Sequence, residues 1–459
     1  MNILSPRFLV QTAAMTAITL GLSAPLTISQ AGAEEITLKM WSRADRSGPL
    51  RPGNIVDASK ALNNAFAAAG SDTRIKVEVH ENNAKGFDAD ALDLMKAFAA
   101  GKAPDLYIAA HEWIGAFAEA GYAKDLEGHI SANPQFYADI IPVLWNSVKY
   151  KGKRYGVPQD SEVRMFFYNK DHLRKIGKSD DFIEGLPEKV VSGEFNAYQL
   201  SDLAAEVVKK GGAKYGFVHR PNVGPDFLMI MASFGIEPSD EKTGKLKMSK
   251  KGITEFFKWL KYSVDNGALP KNMTSWSWDS VHAAFRGEES FMKFHGIWNV
   301  PKQLEVMKLK GKEDYFKKLG WLHAPAGKTG GRPSNLSHPI IYVVNPGSKH
   351  AELAAILVAM ASQHVPNTNH AISTGHTPIN FGQAAMPDFV SKGWALQAGT
   401  SMLPYATFMP NHPKIGQYNG VVYKGIQGVE TGRISPEDGA AFVVEELESE
   451  LGSDVIITD

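Results

Sequence analysis

The 459-residue chain contains no cysteine. This absence excludes disulfide bonds, thiolate metal sites, iron–sulfur clusters, a cysteine nucleophile and a lipid-modified N-terminal cysteine. The chain also has no excess charge of either sign, since 49 basic side chains are matched by 49 acidic ones. A protein that binds nucleic acid would show a basic excess or a basic stripe, so we expect no nucleic-acid partner.

The motifs of common enzyme classes are missing as well. The sequence has no G-x-S-x-G elbow and no H-E-x-x-H helix. The G-K-T at 327–329 resembles the end of a phosphate-binding loop, but six residues separate it from Gly320 where four are required. His364, His370 and His376 recur every six residues, which does not place them on one helix face. We therefore expect no cofactor and no metal site.

The first 33 residues have the pattern of a secretory signal peptide. Arg7 provides a positive start, residues 8–26 are mostly apolar, and 31–33 (A-G-A) has the small residues of a cleavage site. Cleavage after Ala33 would release the mature chain into a bacterial periplasm. The alternative is an N-terminal membrane anchor, although the apolar run is short and broken for a spanning helix. No later segment has 18 uninterrupted apolar residues.

The order of secondary-structure signals predicts an α/β fold. Alternating apolar residues predict strands over 36–41 and 75–79, and a short apolar run predicts a third strand over 106–110. Helical spacing follows the first two strands, over 57–70 and 91–101. Such alternation is typical of mainly parallel sheets flanked by helices. The length indicates more than one domain, and we expect two lobes.

Polar and aromatic side chains follow the predicted strands. In chain order they are Trp41 with Asp45 and Arg46, then His111, Glu112 and Trp113, then Gln159, Asp160, Ser161 and Glu162. Ligands of doubly wound sheets lie outside the carboxyl ends of the strands, so we expect these groups to line one site. This combination suits a sugar, because aromatic rings pack on its C–H groups and charged side chains bind its hydroxyl groups.

Four blocks of sequence occur in the order found in a known family. They are K-A-P-D-L at 102–106 with Trp113 and Phe117; Y-K-G-K-R-Y-G-V-P at 150–158 with Y-N-K at 168–170; E-E-S-F-M at 288–292 with G-I-W at 296–298; and Pro346 with the helix after Ser348. Together they resemble the extracellular solute-binding proteins of ABC importers, the maltose-binding-protein-like group. The resemblance spans essentially the whole mature chain.

The resemblance implies a two-lobed periplasmic-binding-protein fold, with a solute in the cleft and closure on binding. It implies one lobe of residues 34–160 plus 337–382 and another of 161–336 plus 383–459. A monomer that delivers its solute to an inner-membrane permease, without catalysis, is the expected function. The solute-binding residues that it implies are Trp41, Asp45, Arg46, His111, Glu112, Trp113, Glu162, Trp298 and, in a further contact loop, His219 and Asn222.

The chain departs from the family's pattern in the loop after the first strand, which carries Arg43, Arg46 and Arg51. It also lacks a recognisable T-W-x-E helix start. The arginines leave the charge of the solute open: we expect a neutral di- or oligosaccharide, such as an α-glucoside, and an anionic solute such as a glycerol phosphate or a sugar acid is the alternative. Two alternatives belong to other functional classes. One is a secreted carbohydrate-active enzyme with Glu112 and Glu162 as its carboxylates, and the other is a structural protein of the cell envelope.

Overall fold

The computed structural model describes residues 35–43, 50–83, 87–240, 242–328 and 330–459. The expected signal peptide and its cleavage point lie outside these residues. In chain order the strands are β1 Glu35–Arg43, β2 Arg74–Asn82, β3 Leu106–Ala110, β4 Lys149–Tyr150, β5 Lys153–Arg154, β6 Val157–Pro158, β7 Arg164–Asn169, β8 Tyr215–Val218, β9 Leu246–Ser249, β10 Ser290–Gly296, β11 Leu319–Leu322, β12 Asn335–Leu336, β13 Ile340–Val344, β14 Ala406–Thr407 and β15 Val455–Thr458.

The α-helices flank the two large sheets that these strands form. They are α1 Leu50–Ala68, α2 Phe87–Ala99, α3 Ile114–Glu119, α4 Glu127–Ala132, α5 Lys170–Lys175, α6 Asp180–Ser192, α7 Ala197–Lys209, α8 Asp226–Ser233, α9 Lys250–Asp265, α10 Trp278–Arg286, α11 Val300–Val306, α12 Lys312–Lys318, α13 Ala351–Ala361, α14 His364–Thr374, α15 Pro387–Lys392, α16 Trp394–Thr400, α17 Ile415–Glu430 and α18 Pro436–Leu451. Among the described residues, no helix is both long enough and apolar enough to cross a membrane.

The first sheet has the strand order β2-β1-β3-β13-β6. The predicted alternation in β1 is present: Leu38 and Met40 are fully buried, and Lys39 between them is exposed. β1 runs parallel to β2, with Ile36 opposite Ile75, and parallel to β3. This parallel arrangement brings the carboxyl ends of the three strands to one edge of the first lobe.

The second sheet has the order β14-β12-β7-β10-β8, and β11 also pairs with β7. All six residues of β7 are buried. A central strand that is covered on both faces has no solvent-facing side, so its sequence does not alternate between apolar and polar residues. β8 is parallel to β10, whereas β7 is antiparallel to β10 and β11.

The prediction of an α/β fold with two lobes is confirmed, but both sheets are mixed rather than mainly parallel. The strands joined by helices within a lobe are parallel, as expected. β7 and β13 enter their sheets directly from the other lobe and run antiparallel to their neighbours. Their connections are too short to hold the helical crossover that a parallel strand requires.

The chain passes between the two sheets at residues 159–163 and 337–339, and the two passages are bonded to each other. The hydroxyl groups of Ser161 and Ser337 lie 2.8 Å apart. The backbone of Ser161 also exchanges two hydrogen bonds with that of Thr377, of 3.0 and 2.8 Å. The connecting segments therefore form one hydrogen-bonded unit, and the exact bounds of each lobe stay a prediction.

Helix α1 begins at Leu50, earlier than the predicted start at Asp57. The glycine and proline around 52–53 had favoured a loop there. Proline is tolerated in the first turn of a helix because the N–H that it lacks would have no partner within the helix. The earlier start carries Arg51 on the first turn, where the side chain is buried.

Candidate functional site

A cavity of about 1270 Å³ lies between the two lobes and is lined by residues of both. The first lobe contributes Arg51, Glu112 and Trp113. The second lobe contributes Arg164, Trp278 and Trp298, and the connecting segments contribute Glu162 and His338. The cavity is therefore the cleft of a two-lobed molecule.

The first-lobe wall is built at the end of β3. The strand passes directly into a short 3-10 turn, His111–Trp113. This turn directs Glu112 and Trp113 to the cavity, whereas His111 is fully buried beside it. The Nδ1 atom of His111 lies 2.9 Å from Oδ1 of Asn411. The placement agrees with the rule that ligands approach the carboxyl ends of parallel strands.

A chain of charged groups runs from the first lobe to the second along the floor of the cavity. His338 Nε2 donates to Glu112 Oε2 over 2.8 Å, and its Nδ1 lies 4.0 Å from Glu162 Oε1. Arg164 then binds Glu162 at 2.7 Å and Asp226 at 2.5 Å. All five residues are buried. Buried charges are tolerated only when they are paired and hydrogen-bonded, and each of these has at least one partner.

The pKa values of these acids are set by burial and by their cationic partners. Burial acts to raise the pKa of Glu112, but the charge of His338 and its hydrogen bond outweigh it and lower the pKa to about 2. Burial likewise opposes ionisation of Asp226, and the guanidinium groups of Arg164 and Arg220 hold its pKa well below the usual range. Burial raises the pKa of Glu162 in spite of Arg164. Glu112 and Asp226 are therefore carboxylates at neutral pH and act as hydrogen-bond acceptors.

The second-lobe wall is aromatic. The guanidinium carbon of Arg164 lies 4.7 Å from the ring centre of Trp298, and that of Arg220 lies 5.5 Å from the ring centre of Trp278. The Trp298 ring also lies directly against the backbone of Gly296, where an added Cβ would be only 1.6 Å from a ring atom. Only glycine at 296 permits this approach, so the strand end itself holds the ring in position.

Three of the described arginines that line the cavity are matched by acids, and Arg43 lines it as well. Arg51 binds Asp160 at 2.7 Å, and both side chains are almost completely buried. Arg220 binds Asp226 at 3.1 Å, on the carboxylate that also holds Arg164. Each of these three guanidinium groups is thus paired with a carboxylate of the protein.

Four of the predicted site residues are brought together at the cavity: Glu112, Trp113, Glu162 and Trp298. Asp45 and Arg46 lie outside the described residues. The other four do not line the cavity. For all eight of these residues, those that line the cavity and those that do not, a role in solute binding stays a prediction.

The four predicted residues that lie away from the cavity have partners within the protein. Trp41 lies inside β1, which continues to Arg43, and its Nε1 donates to Asp90 over 3.0 Å. His219 is 3.0 Å from Glu430, and Asn222 accepts a 3.2 Å hydrogen bond from Arg220. His111 is bonded to Asn411, as described above. Asn222 thus positions an arginine of the cavity.

Several residues that line the cavity were not expected from the sequence. Arg164 lies two positions after Glu162, so its place at the end of the first passage is visible in the sequence. His338 occupies the corresponding place in the second passage. Trp278 was one of two neighbouring tryptophans, and nothing in the sequence distinguished it from Trp276, which does not line this cavity.

Comparisons with known proteins agree with this architecture. The model of the bacterial extracellular solute-binding protein family matches residues 61–398. A Brucella abortus chain named as a binding protein is 26% identical over 422 residues, which are 91% of this chain and 93% of that protein. The maltotriose-binding protein of Pyrococcus abyssi is 32% identical over 120 residues, 24% of this chain and 26% of that protein.

A solved structure has the same fold. The sugar-binding protein MalE of Xanthomonas citri superimposes with a TM-score of 0.70 at 17% identity, covering 90% of this chain and 97% of that one. At this identity the likeness concerns the fold, and the residues that line the cavity have to be judged from their own chemistry.

Proposed function

The chain belongs to the bacterial extracellular solute-binding proteins, and we propose that it binds a neutral di- or oligosaccharide of the α-glucoside class. The solute occupies the cavity between the lobes and is delivered to the permease of an ABC importer. The proposed location is the periplasm, after cleavage behind Ala33, and the proposed state is a monomer. No catalytic step is part of this function.

The observation that carries the proposal is the combination of ring faces and paired charges on one cavity. Trp113, Trp278 and Trp298 all line it. Aromatic faces pack on the C–H faces of pyranose rings, and Glu112 presents an ionised acceptor to their hydroxyls. The volume of about 1270 Å³ exceeds the roughly 300–1,000 Å³ of ordinary small-molecule pockets, which favours more than one sugar ring.

The pairing of three arginines of the cavity supports a neutral solute over an anionic one. Arg51, Arg164 and Arg220 each bind a buried carboxylate. An anion would have to compete with Asp160 or Asp226 for these groups, and a buried ion pair that loses one partner is strongly destabilised. Hydroxyl groups can instead share the existing hydrogen bonds without adding charge.

The named relatives support the same solute class. One binds maltotriose by its name, and the Xanthomonas citri structure is a sugar-binding protein. These names describe other proteins, and at low identity they support an α-glucoside only together with the cavity's own residues.

The arrangement of the carboxylates supports binding rather than glycoside hydrolysis. The imidazole of His338 lies between Glu112 and Glu162, with contacts of 2.8 and 4.0 Å to them. A glycosidase keeps the space between its two carboxyl groups for the scissile bond. Here that space is occupied by a side chain, and Glu162 is held by Arg164.

The proposal is tested by isothermal titration of the mature chain with maltose, maltotriose, trehalose, sucrose and raffinose, and with glycerol 3-phosphate and gluconate as anionic counterparts. We expect saturable binding of an α-glucoside and none of the anions at neutral pH. Binding of an anion instead would overturn the neutral assignment. The same samples are then analysed for released glucose: steady release would establish an enzyme and overturn the transport function.

A further inference from the structure

We propose that His111, Glu112 and His338 form a binding site for a divalent transition-metal ion of the zinc class. The donor atoms of the three side chains lie within 4.8 Å of one another, and all three residues are buried. This inference goes beyond the proposed transport function, because neither sugar binding nor delivery to a permease requires a metal.

The Nε2 atom of His111 is buried and has no hydrogen-bond partner among the described residues. A buried polar nitrogen without a partner is costly, by about 1–3 kcal/mol, and such atoms call for an explanation. A metal ion between His111, Glu112 and His338 would satisfy this atom.

The tautomer of His111 is determined by its partner, Asn411. The side-chain amide nitrogen of Asn411 donates to three backbone carbonyl groups at 2.8–3.2 Å, those of Asn146, Ser147 and Lys149. The amide oxygen must therefore face His111 Nδ1, 2.9 Å away, and Nδ1 must carry the proton. The lone pair of His111 is then on Nε2, which is the ring nitrogen that can bind an ion.

This arrangement is the usual outer shell of a metal-binding histidine. Such a histidine donates its second ring N–H to a carbonyl, amide or carboxylate oxygen, which orients the ring and makes it a better ligand. The Asn411 contact supplies that bond across 300 residues of sequence. It fixes the tautomer of His111 before any ion binds.

The ligand set selects the class of ion. Two imidazole nitrogens with one carboxylate oxygen are typical of zinc sites, whereas calcium and magnesium prefer oxygen ligands alone. The chain has no cysteine, so a thiolate cannot compete for the ion. Three protein ligands leave a fourth position open, and Glu112 and His338 place it at the wall of the cavity.

Metal binding requires a small rearrangement. Bonds of about 2.0–2.2 Å in a tetrahedron place ligand atoms about 3.4 Å apart. The Glu112–His338 pair, now 2.8 Å apart, would separate slightly, and the donor atoms of the three residues, now within 4.8 Å of one another, would adjust to these distances. The proton that His338 now shares with Glu112 would be released.

The test is equilibrium dialysis of the untagged mature chain against zinc chloride, without sugar. We expect one zinc ion per chain, removable by EDTA, with micromolar or tighter affinity. His338→Gln and Glu112→Gln should each weaken binding at least about tenfold. The matched control is His364→Gln, because His364 also lies against a carboxylate, Asp139 at 2.6 Å, but is not part of the three-residue group.

A second measurement does not depend on any variant. X-ray absorption of the zinc-loaded wild-type chain should show two imidazole ligands at the distances typical of zinc. No stoichiometric zinc, a spectrum without two imidazoles, or equal loss in the His364→Gln control would each overturn the site. Sugar titrations in EDTA report on the transport function separately.

Discussion

The two walls of the cleft are constructed in different ways. The second-lobe wall has two tryptophan rings, each with a guanidinium group nearby, and both guanidinium groups bind the same carboxylate, Asp226. The first-lobe wall offers a single ring, Trp113, beside the Glu112–His338 pair. One wall is a fixed aromatic platform, and the other is mainly a hydrogen-bonding surface.

This difference indicates a division of roles. An aromatic ring held by packing contributes contact area without much loss of conformational freedom on binding, which favours affinity. Buried hydrogen-bonding groups discriminate, because a ligand that lacks the matching hydroxyl leaves them unpaired. We expect substitutions in the second-lobe wall to change affinity for all sugars, and those in the first-lobe wall to change the choice among them.

The largest effect should come from Asp226. Asp226→Ala would leave Arg164 and Arg220 buried with fewer partners, and breaking such a pair typically costs about 3–5 kcal/mol of unfolding free energy. Urea denaturation measures this loss. Asp388→Ala, which removes an exposed carboxylate 3.7 Å from Lys392, is the control and should leave stability nearly unchanged. Equal effects of the two variants would contradict the role of Asp226 as the anchor of the wall.

A methyl group at Gly296 should displace the aromatic platform without removing it. Gly296→Ala forces the Trp298 ring away from the strand end, because the new Cβ would overlap the ring. We expect sugar affinity to fall by about tenfold, roughly 1.4 kcal/mol, with the fold retained. Gly185→Ala is the control, since nothing lies within 4 Å of a Cβ there. Unchanged affinity in Gly296→Ala would show that the ring position does not matter.

The second lobe should also lose stability in acid through a buried histidine. Burial lowers the pKa of His323 to about 4, so the folded protein keeps this ring neutral where the unfolded chain would protonate it. The stability that depends on His323 is therefore complete above pH 6.5 and is lost as the pH falls from 6.5 towards 4, by up to about 1.4 kcal/mol per pH unit. His323→Gln should flatten this part of a melting-temperature profile, and His350→Gln should not. If the melting temperature of His323→Gln fell with pH as steeply as that of the wild type, the proposed role of His323 would be contradicted.

The smallest effect should be found at the first-lobe wall. Glu112→Gln keeps the shape of the side chain and removes its charge, so we expect affinity for the best sugar to fall by about three- to tenfold, near 1 kcal/mol. The ratio of affinities for maltose and trehalose should change more than it does in Gly296→Ala. Titration of both variants with both sugars measures this. An unchanged ratio would remove the proposed division between the walls.

The sequence predicts the parts of the site that follow directly from strand ends. Glu112 and Trp113 follow β3, so local pattern and parallel pairing were enough to bring them to the cleft, whereas Trp298, which follows β10, was expected from the family resemblance. Trp41 shows the limit of this reasoning. The strand continues two residues past it, and the ring therefore packs beside His80, at 4.4 Å between ring centres, within the first lobe.

The remaining parts depend on contacts between distant segments. Asp226 lies 62 residues from Arg164, and His338 lies 226 residues from Glu112. Only the packing of segments that are distant in the sequence determines which acid meets which base. His219 follows β8 as the strand-end rule requires, but its ring is bound to Glu430 in α17, a partner that no local pattern reveals.

One pair of variants tests whether a tryptophan on the second-lobe wall binds a neutral sugar. Trp298 lines the cavity, whereas Trp276, in the same lobe and also partly buried, lies beside Tyr215 at 5.1 Å and away from the cavity. Isothermal titration with the best α-glucoside should show at least about tenfold weaker binding for Trp298→Ala and unchanged binding for Trp276→Ala. Equal affinity of the two variants for that sugar would contradict the account.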